Sequence, residues 1–480
     1  MNGILRCDIC VIGAGSGGLS VAAGAAQLGA RTVLIEGGRM GGDCLNVGCV
    51  PSKSLIAAAE LAAMARRAGG FGVDFAPPRI DWMRIRAHIR AVIAAIAPHD
   101  SVERFEGLGV RVIRDWARFV ASDAVVAGGL RIEAKRFVLA VGSVPAVPPI
   151  SGLDGVPYLT NETVFDLAEP IRHLVVIGGG PIGAELAQAH ARLGVSVTVI
   201  EQDRLLPRDD AALVDMLRQA LIADGVDLKE GRKVTRVSRL GADVVVHCAD
   251  PGGAEGEVVG SHLLIATGRR ADLERLDLGA AGIAHSPRGI AVDRRLRTGN
   301  HRVYAIGDCA DLPGSGPLAF THVAGYHAGI VIRNALFRLP AKIDPAIVPR
   351  VTFTDPELAA IGVSPAEAAA RYPGSRIVES EFTDNDRAQA ERAVAGRIRV
   401  AASSNGRILG VAAVGRRAGE LLAPWCLAVS EGLKLSAIAR LMLPYPTLSE
   451  VSKRVAGEFY RPKLFGAGSR RLVQALLRLP

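Results

Sequence analysis

The segment Asp8-Ile9-Cys10-Val11-Ile12-Gly13-Ala14-Gly15-Ser16-Gly17-Gly18-Leu19 decides the fold. Four apolar residues in a row read as a buried strand, and Gly13, Gly15 and Gly18 follow at the spacing G-x-G-x-x-G. An Ala-rich amphipathic stretch then leads to Val33-Leu34-Ile35-Glu36, a second strand with an acid at its end. The pattern returns downstream: Leu174-Val175-Val176-Ile177, then Gly178, Gly180 and Gly183, then Val197-Thr198-Val199-Ile200-Glu201. In such a unit the first glycine allows a tight strand-to-helix turn and the second lets the backbone approach a pyrophosphate. The third packs helix on strand, and the terminal acid accepts from a ribose 2′-hydroxyl. The motif alone is weak in a chain with 55 glycines, but both copies have the strand, helix and acid around it. Two dinucleotide sites are therefore expected.

Outward from these copies, Val138-Leu139-Ala140-Val141-Gly142-Ser143 and Leu263-Leu264-Ile265-Ala266-Thr267-Gly268 are apolar strands closing on a small-residue turn. Pro145, Pro148, Pro149 and Pro157 mark a linker, and Pro345 and Pro349 a second boundary. The expected architecture is α/β: two Rossmann-type dinucleotide-binding domains plus a C-terminal α+β dimerisation domain. The expected boundaries are 1–150 and 281–346 for the first dinucleotide domain and 151–280 for the second. The C-terminal domain takes 347–465, and a basic amphipathic tail takes 466–480.

Composition narrows the function. With 480 residues, 49% hydrophobic and 22% charged, the chain is neither disordered nor a coiled coil. The net charge of +9 is scattered among acids except after residue 460, where Arg461, Lys463, Arg470, Arg471 and Arg478 stand without an acid. The three tryptophans show no interleaving with basic residues, so nucleic acid is not an expected partner. No spanning helix and no secretory signal is expected, and seven cysteines are no secreted disulfide framework. A cytoplasmic location follows. Cys7 and Cys10, three apart on a strand, are expected on opposite faces as core residues.

The chemistry sits in Gly41-Gly42-Asp43-Cys44-Leu45-Asn46-Val47-Gly48-Cys49-Val50-Pro51-Ser52-Lys53. Two cysteines five apart beside a helical stretch can meet across about one and a third turns. A helix N-terminus lowers a thiolate's pKa, which favours a nucleophilic, redox-active pair. Zinc would need two further ligands at suitable spacing, and the sequence offers no second cluster, so no metal site is expected.

This stretch resembles the active-site signature of the class I pyridine nucleotide–disulfide oxidoreductases, which include dihydrolipoamide dehydrogenase, glutathione reductase and mercuric reductase. The likeness runs from Asp8 to about Lys463. It implies FAD on the first glycine copy, with Gly42, Asp43, Gly142 and Asp308 around it and a helix starting at Ala319 to His322 aimed at the isoalloxazine. It implies a nicotinamide on the second copy, with Gly268 beside it, and a head-to-tail homodimer. By the same likeness Cys44 is the interchange thiol that meets substrate and Cys49 the flavin-proximal thiol. Lys53 would sit near the flavin and pair with Glu185. Electrons would run from nicotinamide through flavin and dithiol to a small-molecule or protein disulfide.

One departure limits the carry-over. Where most of the family has His-Pro-Thr-x-Ser-Glu, its histidine serving as acid–base across the dimer, this chain reads Tyr445-Pro446-Thr447-Leu448-Ser449-Glu450. A free phenol titrates near pH 10, so phenolate at neutrality costs about 4 kcal/mol. Tyr445 is thus a poor base, though it can donate a hydrogen bond. Mercuric reductases resemble the chain in having tyrosine there, but they carry a vicinal cysteine pair near the C-terminus, and here no cysteine follows Cys426. The expected enzyme is a disulfide-type reductase. A genuine mercuric reductase or dihydrolipoamide dehydrogenase is the alternative. A second, of another class, is a flavin-binding subunit acting only on a protein partner or near a membrane quinone. Glu201 suits a ribose hydroxyl and repels a 2′-phosphate, which favours NADH over NADPH, although Arg204 and Arg208 lie close by. The basic tail is a candidate for weak membrane contact.

Overall fold

The computed structural model describes residues 3–167 and 169–479. The fold is mixed α/β, with two Rossmann-type halves and a C-terminal α+β portion. It forms two compact units. One comprises Met1–Gly178, Ala189–Ile200 and Arg232–Pro345, and the other Gly179–Gln188, Glu201–Gly231 and Ala346–Pro480.

In the first unit Ile4–Ile12 is the central strand of a seven-stranded sheet. It lies parallel to Thr32–Ile35 on one side and to Leu130–Leu139 on the other, with Ile12 opposite both Ile35 and Leu139. Ile9, Cys10 and Val11 are fully buried because helices cover both faces of a parallel sheet. The helix Ser16–Gln27 packs against Thr321–Ala335. The strand Val303–Ala305 joins the far edge of Leu130–Leu139. The second copy repeats the logic: His262–Ile265 and Ser196–Ile200 flank His173–Ile177 in parallel register. Its glycine turn feeds the helix Pro181–Arg192. A three-stranded antiparallel meander over Lys233–Leu240, Asp243–Ala249 and Glu255–Gly260 was not legible as such in the sequence. The proline-rich linker contains a short ribbon, Val144–Pro145 against Arg269–Arg270, which ties the two closing turns together.

The helical segments over Gly42–Phe71, interrupted at Val47 and Gly48, together pass a test of length and composition for a membrane crossing. Leu55, Ala59, Ala62 and Ala63 are buried, and the helix Cys49–Arg67 packs against the helix Trp82–Ile96. One expectation needs correction. Cys7 and Cys10 are buried free thiols, but they are not isolated from one another. Cys10 is pushed up by burial first and then by a hydrogen bond with Cys7.

In the second unit, five antiparallel strands run in the order Arg350–Thr352, Glu357–Gly362, Ile408–Gly415, Arg397–Ala402, Arg376–Glu381. Trp425 is fully buried behind this sheet, and its indole N–H donates to Ser452 Oγ at 3.0 Å. Phe382 fills the space above Gly396 and Gly415, where a Cβ would lie 2.6 and 2.5 Å from its ring. Trp425→Ala should lower unfolding stability by about 3–5 kcal/mol, since it opens a cavity and strands a buried hydroxyl. Denaturant midpoints against the parent chain measure this, and a loss under about 1 kcal/mol would show that the core relaxes around the site.

Candidate active site

The phosphate-loop geometry follows from steric necessity. A Cβ on Gly18 would lie 1.8 Å from the carbonyl oxygen of Gly13, so only glycine lets the helix start that close to the strand. Gly15 caps the helix Ser16–Gln27 without a side-chain hydrogen bond, and no acid occupies its first turn. Above Gly15 the nearest atom to a built Cβ is 3.9 Å away, and above Gly180 nothing lies within 4 Å. An uncapped helix N-terminus beneath open space is what a pyrophosphate requires.

The two acids are held alike. Glu36 accepts from the backbone N–H of Ala14 at 2.5 Å and Gly38 at 2.6 Å. Glu201 accepts from Gly179 at 2.6 Å and Asp203 at 2.9 Å. Each carboxylate uses part of its accepting capacity on its own loop, leaving lone pairs for a ribose diol. Beside Glu36, the ring of Trp116 lies on the backbone of Gly37, where a Cβ would come within 2.3 Å of it. The Arg275 guanidinium stacks over that ring at 4.5 Å. No pattern in the sequence singles out Trp116 beside the first acid.

The cysteines do not share one helical run, as their spacing led one to expect. Cys44 lies in the short helix Gly42–Asn46, the chain breaks at Val47 and Gly48, and Cys49 opens the helix Cys49–Arg67. The break still brings the two thiols into hydrogen-bond contact, both of them free. Cys49 is lowered to about 6, first by the hydrogen bond from Cys44, with further help from Thr321 and the charge of Lys53. Cys44 is correspondingly pushed up, by the same hydrogen bond and by burial. The contact thus favours negative charge on Cys49 over Cys44. Thr321 Oγ1 lies 3.4 Å from Cys49 Sγ and opens the helix Thr321–Ala335, two residues later than Ala319. Two helix N-termini thus face one sulfur, an arrangement that stabilises negative charge. Ala319 and His322 are exposed beside this start, His322 stacked on Phe320 at 5.2 Å.

Behind the pair lies a polar network that sequence reading named only in part. Arg269, 14% exposed, donates to Asp43 Oδ1 at 3.0 Å, to Asn161 Oδ1 at 3.2 Å and to Ser143 Oγ at 2.7 Å. The Ser143 hydroxyl donates in turn to Asp308 Oδ2 at 2.6 Å. Burial holds Asp308 above its ordinary range, while Ser143 and Arg269 pull it down. Gly142 and Gly268, both at positive φ, have nothing within 4 Å of a built Cβ.

In the second unit Glu185 is buried and accepts from the Phe353 N–H at 2.8 Å. Tyr445 is 70% exposed and donates to Asp386 Oδ2 at 2.8 Å. Asp386 raises Tyr445 above its ordinary range, because a phenol donating to a carboxylate resists ionisation. No pattern in the sequence marks Asp386 as this partner. Glu450 heads the helix Glu450–Leu464 and accepts weakly from the Thr447 N–H at 3.4 Å.

Residues 7–328 match the pyridine nucleotide-disulphide oxidoreductase family, and 348–456 match its dimerisation domain. The chain belongs to this family. A mercuric reductase of Lysinibacillus sphaericus is 32% identical over 94% of the chain and 82% of that protein. A dihydrolipoyl dehydrogenase of Pseudomonas aeruginosa is 34% identical over 95% and 98%. Among solved structures, the HOCl-induced flavoprotein disulfide reductase RclA from Escherichia coli, as its Cu(II) complex, superposes with a TM-score of 0.83. It is 25% identical over 94% of this chain and 99% of that one. LpdA from Mycobacterium tuberculosis gives 0.85 at 29% identity over 95% and 99%. As a member, the chain is an NAD(P)H-dependent flavoprotein disulfide oxidoreductase that uses FAD and forms a homodimer through its C-terminal domain.

The lowered Cys49 gives a direct test. In the reduced protein, thiolate absorbance near 240 nm should appear as pH rises through about 6 and be absent in Cys49→Ser. Lys53→Met should move the transition to higher pH, because a stabilising cation is gone. A single transition near the ordinary cysteine range in all three proteins would contradict this charge distribution.

Proposed function

We propose that the enzyme is an NADH-dependent reductase in which Cys44 and Cys49 deliver two electrons to an external disulfide. The observation that carries this is the placement of two free cysteine side chains in mutual contact, with Thr321 Oγ1 3.4 Å from Cys49 Sγ and the first glycine turn against their segment. Bound FAD would take a hydride from the nicotinamide and return the Cys44–Cys49 disulfide to this dithiol. The FAD would be held by Gly13, Gly15 and Gly18, by Glu36, by Gly42, Asp43 and Gly142, and by Asp308 and the helix start from Ala319 to His322. Gly178, Gly180, Gly183, Glu201 and Gly268 would hold the nicotinamide cofactor, and Lys53 would sit near the flavin. The choice of Cys49 as the flavin-proximal sulfur agrees with its thiolate character.

The outward step balances on the two sulfurs. Cys44 loses its proton and attacks one sulfur of the acceptor, breaking the acceptor's S–S bond and releasing a thiolate that takes up a proton. Cys49 thiolate then attacks Cys44 Sγ in the mixed disulfide, re-forming the intramolecular bond and expelling the second thiolate. The dithiol is oxidised by two electrons and the acceptor reduced by two. Tyr445 already donates to Asp386, so its phenol would be a weak base for a proton leaving Cys44. Tyr445 and Glu450 would then orient an acceptor rather than shuttle its proton.

Glu201 supports NADH, and Arg204 supports it further. Its guanidinium is engaged by the carbonyls of Pro207 and Asp209, both at 2.9 Å, rather than held out toward a phosphate. The RclA complex holds Cu(II) and the mercuric reductases are named for a mercuric substrate, so a soft metal ion is the second reading for the same sulfurs. Tyr445 in place of histidine favours it.

Steady-state NADH oxidation with lipoamide, small aromatic disulfides, Cu(II) and Hg(II) separates these readings. NADH should exceed NADPH in kcat/KM by more than about tenfold. Tyr445→Phe should change disulfide turnover by less than about threefold, and Tyr445→His should raise it by about tenfold or more. Loss of turnover in Tyr445→Phe would instead make the phenol essential, and turnover with metal ions but with no disulfide would select the second reading.

A further inference from the structure

We propose that the C-terminal helix Ala467–Leu476 docks the enzyme on an anionic lipid surface. The helix has no buried residue. Leu472 and Leu476 recur at i and i+4 on one stripe of the helix, with Val473 beside it. Leu479 follows just past the helix end, and all four are more than half exposed, at 60%, 54%, 52% and 66% in that order. Arg470 and Gln474 recur at i and i+4 on the opposite side of the helix, with Arg471 next to them. Leu464 and Phe465, also about 60% exposed, extend the apolar surface just before the helix begins.

Charge chooses among the occupants of that stripe. From Arg461 onward there are five cations and no acid. A second copy of this chain would bring the same positive charge to the contact, whereas anionic headgroups complement it. The segment also lies beyond residue 456, where the match to the family's dimerisation domain ends. Ten residues of helix span about 15 Å, half of what a bilayer crossing needs. The helix would therefore lie in the plane of the interface, leucines down and arginines at headgroup level. With so short a stripe the attachment should be reversible and salt-sensitive.

The test uses the purified flavin-loaded enzyme, sedimented with vesicles of equal parts phosphatidylglycerol and phosphatidylcholine or of phosphatidylcholine alone. The enzyme should pellet with the anionic vesicles only, with affinity falling by about tenfold or more between low and high salt. Leu472→Asp/Leu476→Asp and Arg470→Glu/Arg471→Glu should each weaken binding by more than about tenfold, leaving NADH turnover in solution unchanged. Should the leucine variant misfold, a chain ending at Phe465 provides the same comparison. Absence of binding, or equal binding by the variants, overturns the proposal. So does a fall in oligomeric mass by light scattering in the leucine variant, since a second copy would then be what covers the stripe.

Discussion

Gly42 and Gly15 touch backbone to backbone: a Cβ on Gly42 would sit 2.7 Å from the Gly15 Cα. The Gly41 N–H also donates to the Ala14 carbonyl at 2.9 Å. These contacts lock the cysteine segment onto the first phosphate loop, so whatever the loop binds is held beside the dithiol. Nothing else in the site could be placed without this closeness. The helix that Cys49 opens takes its direction from there, and Asn46 reinforces it by donating to the Met40 and Gly42 carbonyls. A side chain at Gly42 would push the cysteine segment away from the loop, so this position requires glycine.

Once the segment is fixed, its charges must be compensated, and Arg269 does much of that. Asp43 sits next to Cys44, and its negative charge disfavours a second one on the sulfurs. Arg269 meets Asp43 directly and Asp308 through Ser143, so two carboxylates and one guanidinium share a partly buried cluster. Burial makes such pairing consequential: stranding one carboxylate by removing the arginine would cost several kcal/mol, against well under 1 kcal/mol for an exposed pair. The short ribbon between the linker and the strand end at Arg269 delivers that guanidinium. Local backbone pairing thereby serves the electrostatics of a site built mostly elsewhere in the chain.

How much of this was legible depends on sequence distance. The glycine motifs, the acids at their strand ends and the cysteine pair are local patterns, and periodicity and spacing located all of them. Arg269 lies 226 residues from Asp43, and Asp386 lies 59 from Tyr445. No short-range pattern marks either partnership, because it comes from topology bringing remote turns together. Trp116 was equally silent, since only the fold places its ring on Gly37. The helical break between Cys44 and Cys49 could have been suspected from Gly48, where a Cβ would strike Asp43 Oδ2 at 2.6 Å, but that clash too belongs to the folded chain.

The tyrosine at position 445 then changes the proton economy of the site rather than simply deleting a base. A histidine there would exchange protons near neutrality, whereas a phenol committed to Asp386 becomes harder to ionise than a free one. Cys49 itself is lowered to about 6, first by its hydrogen bond with Cys44. Interchange would have to rely on the pair sharing its own proton, with Cys44 releasing it as attack begins.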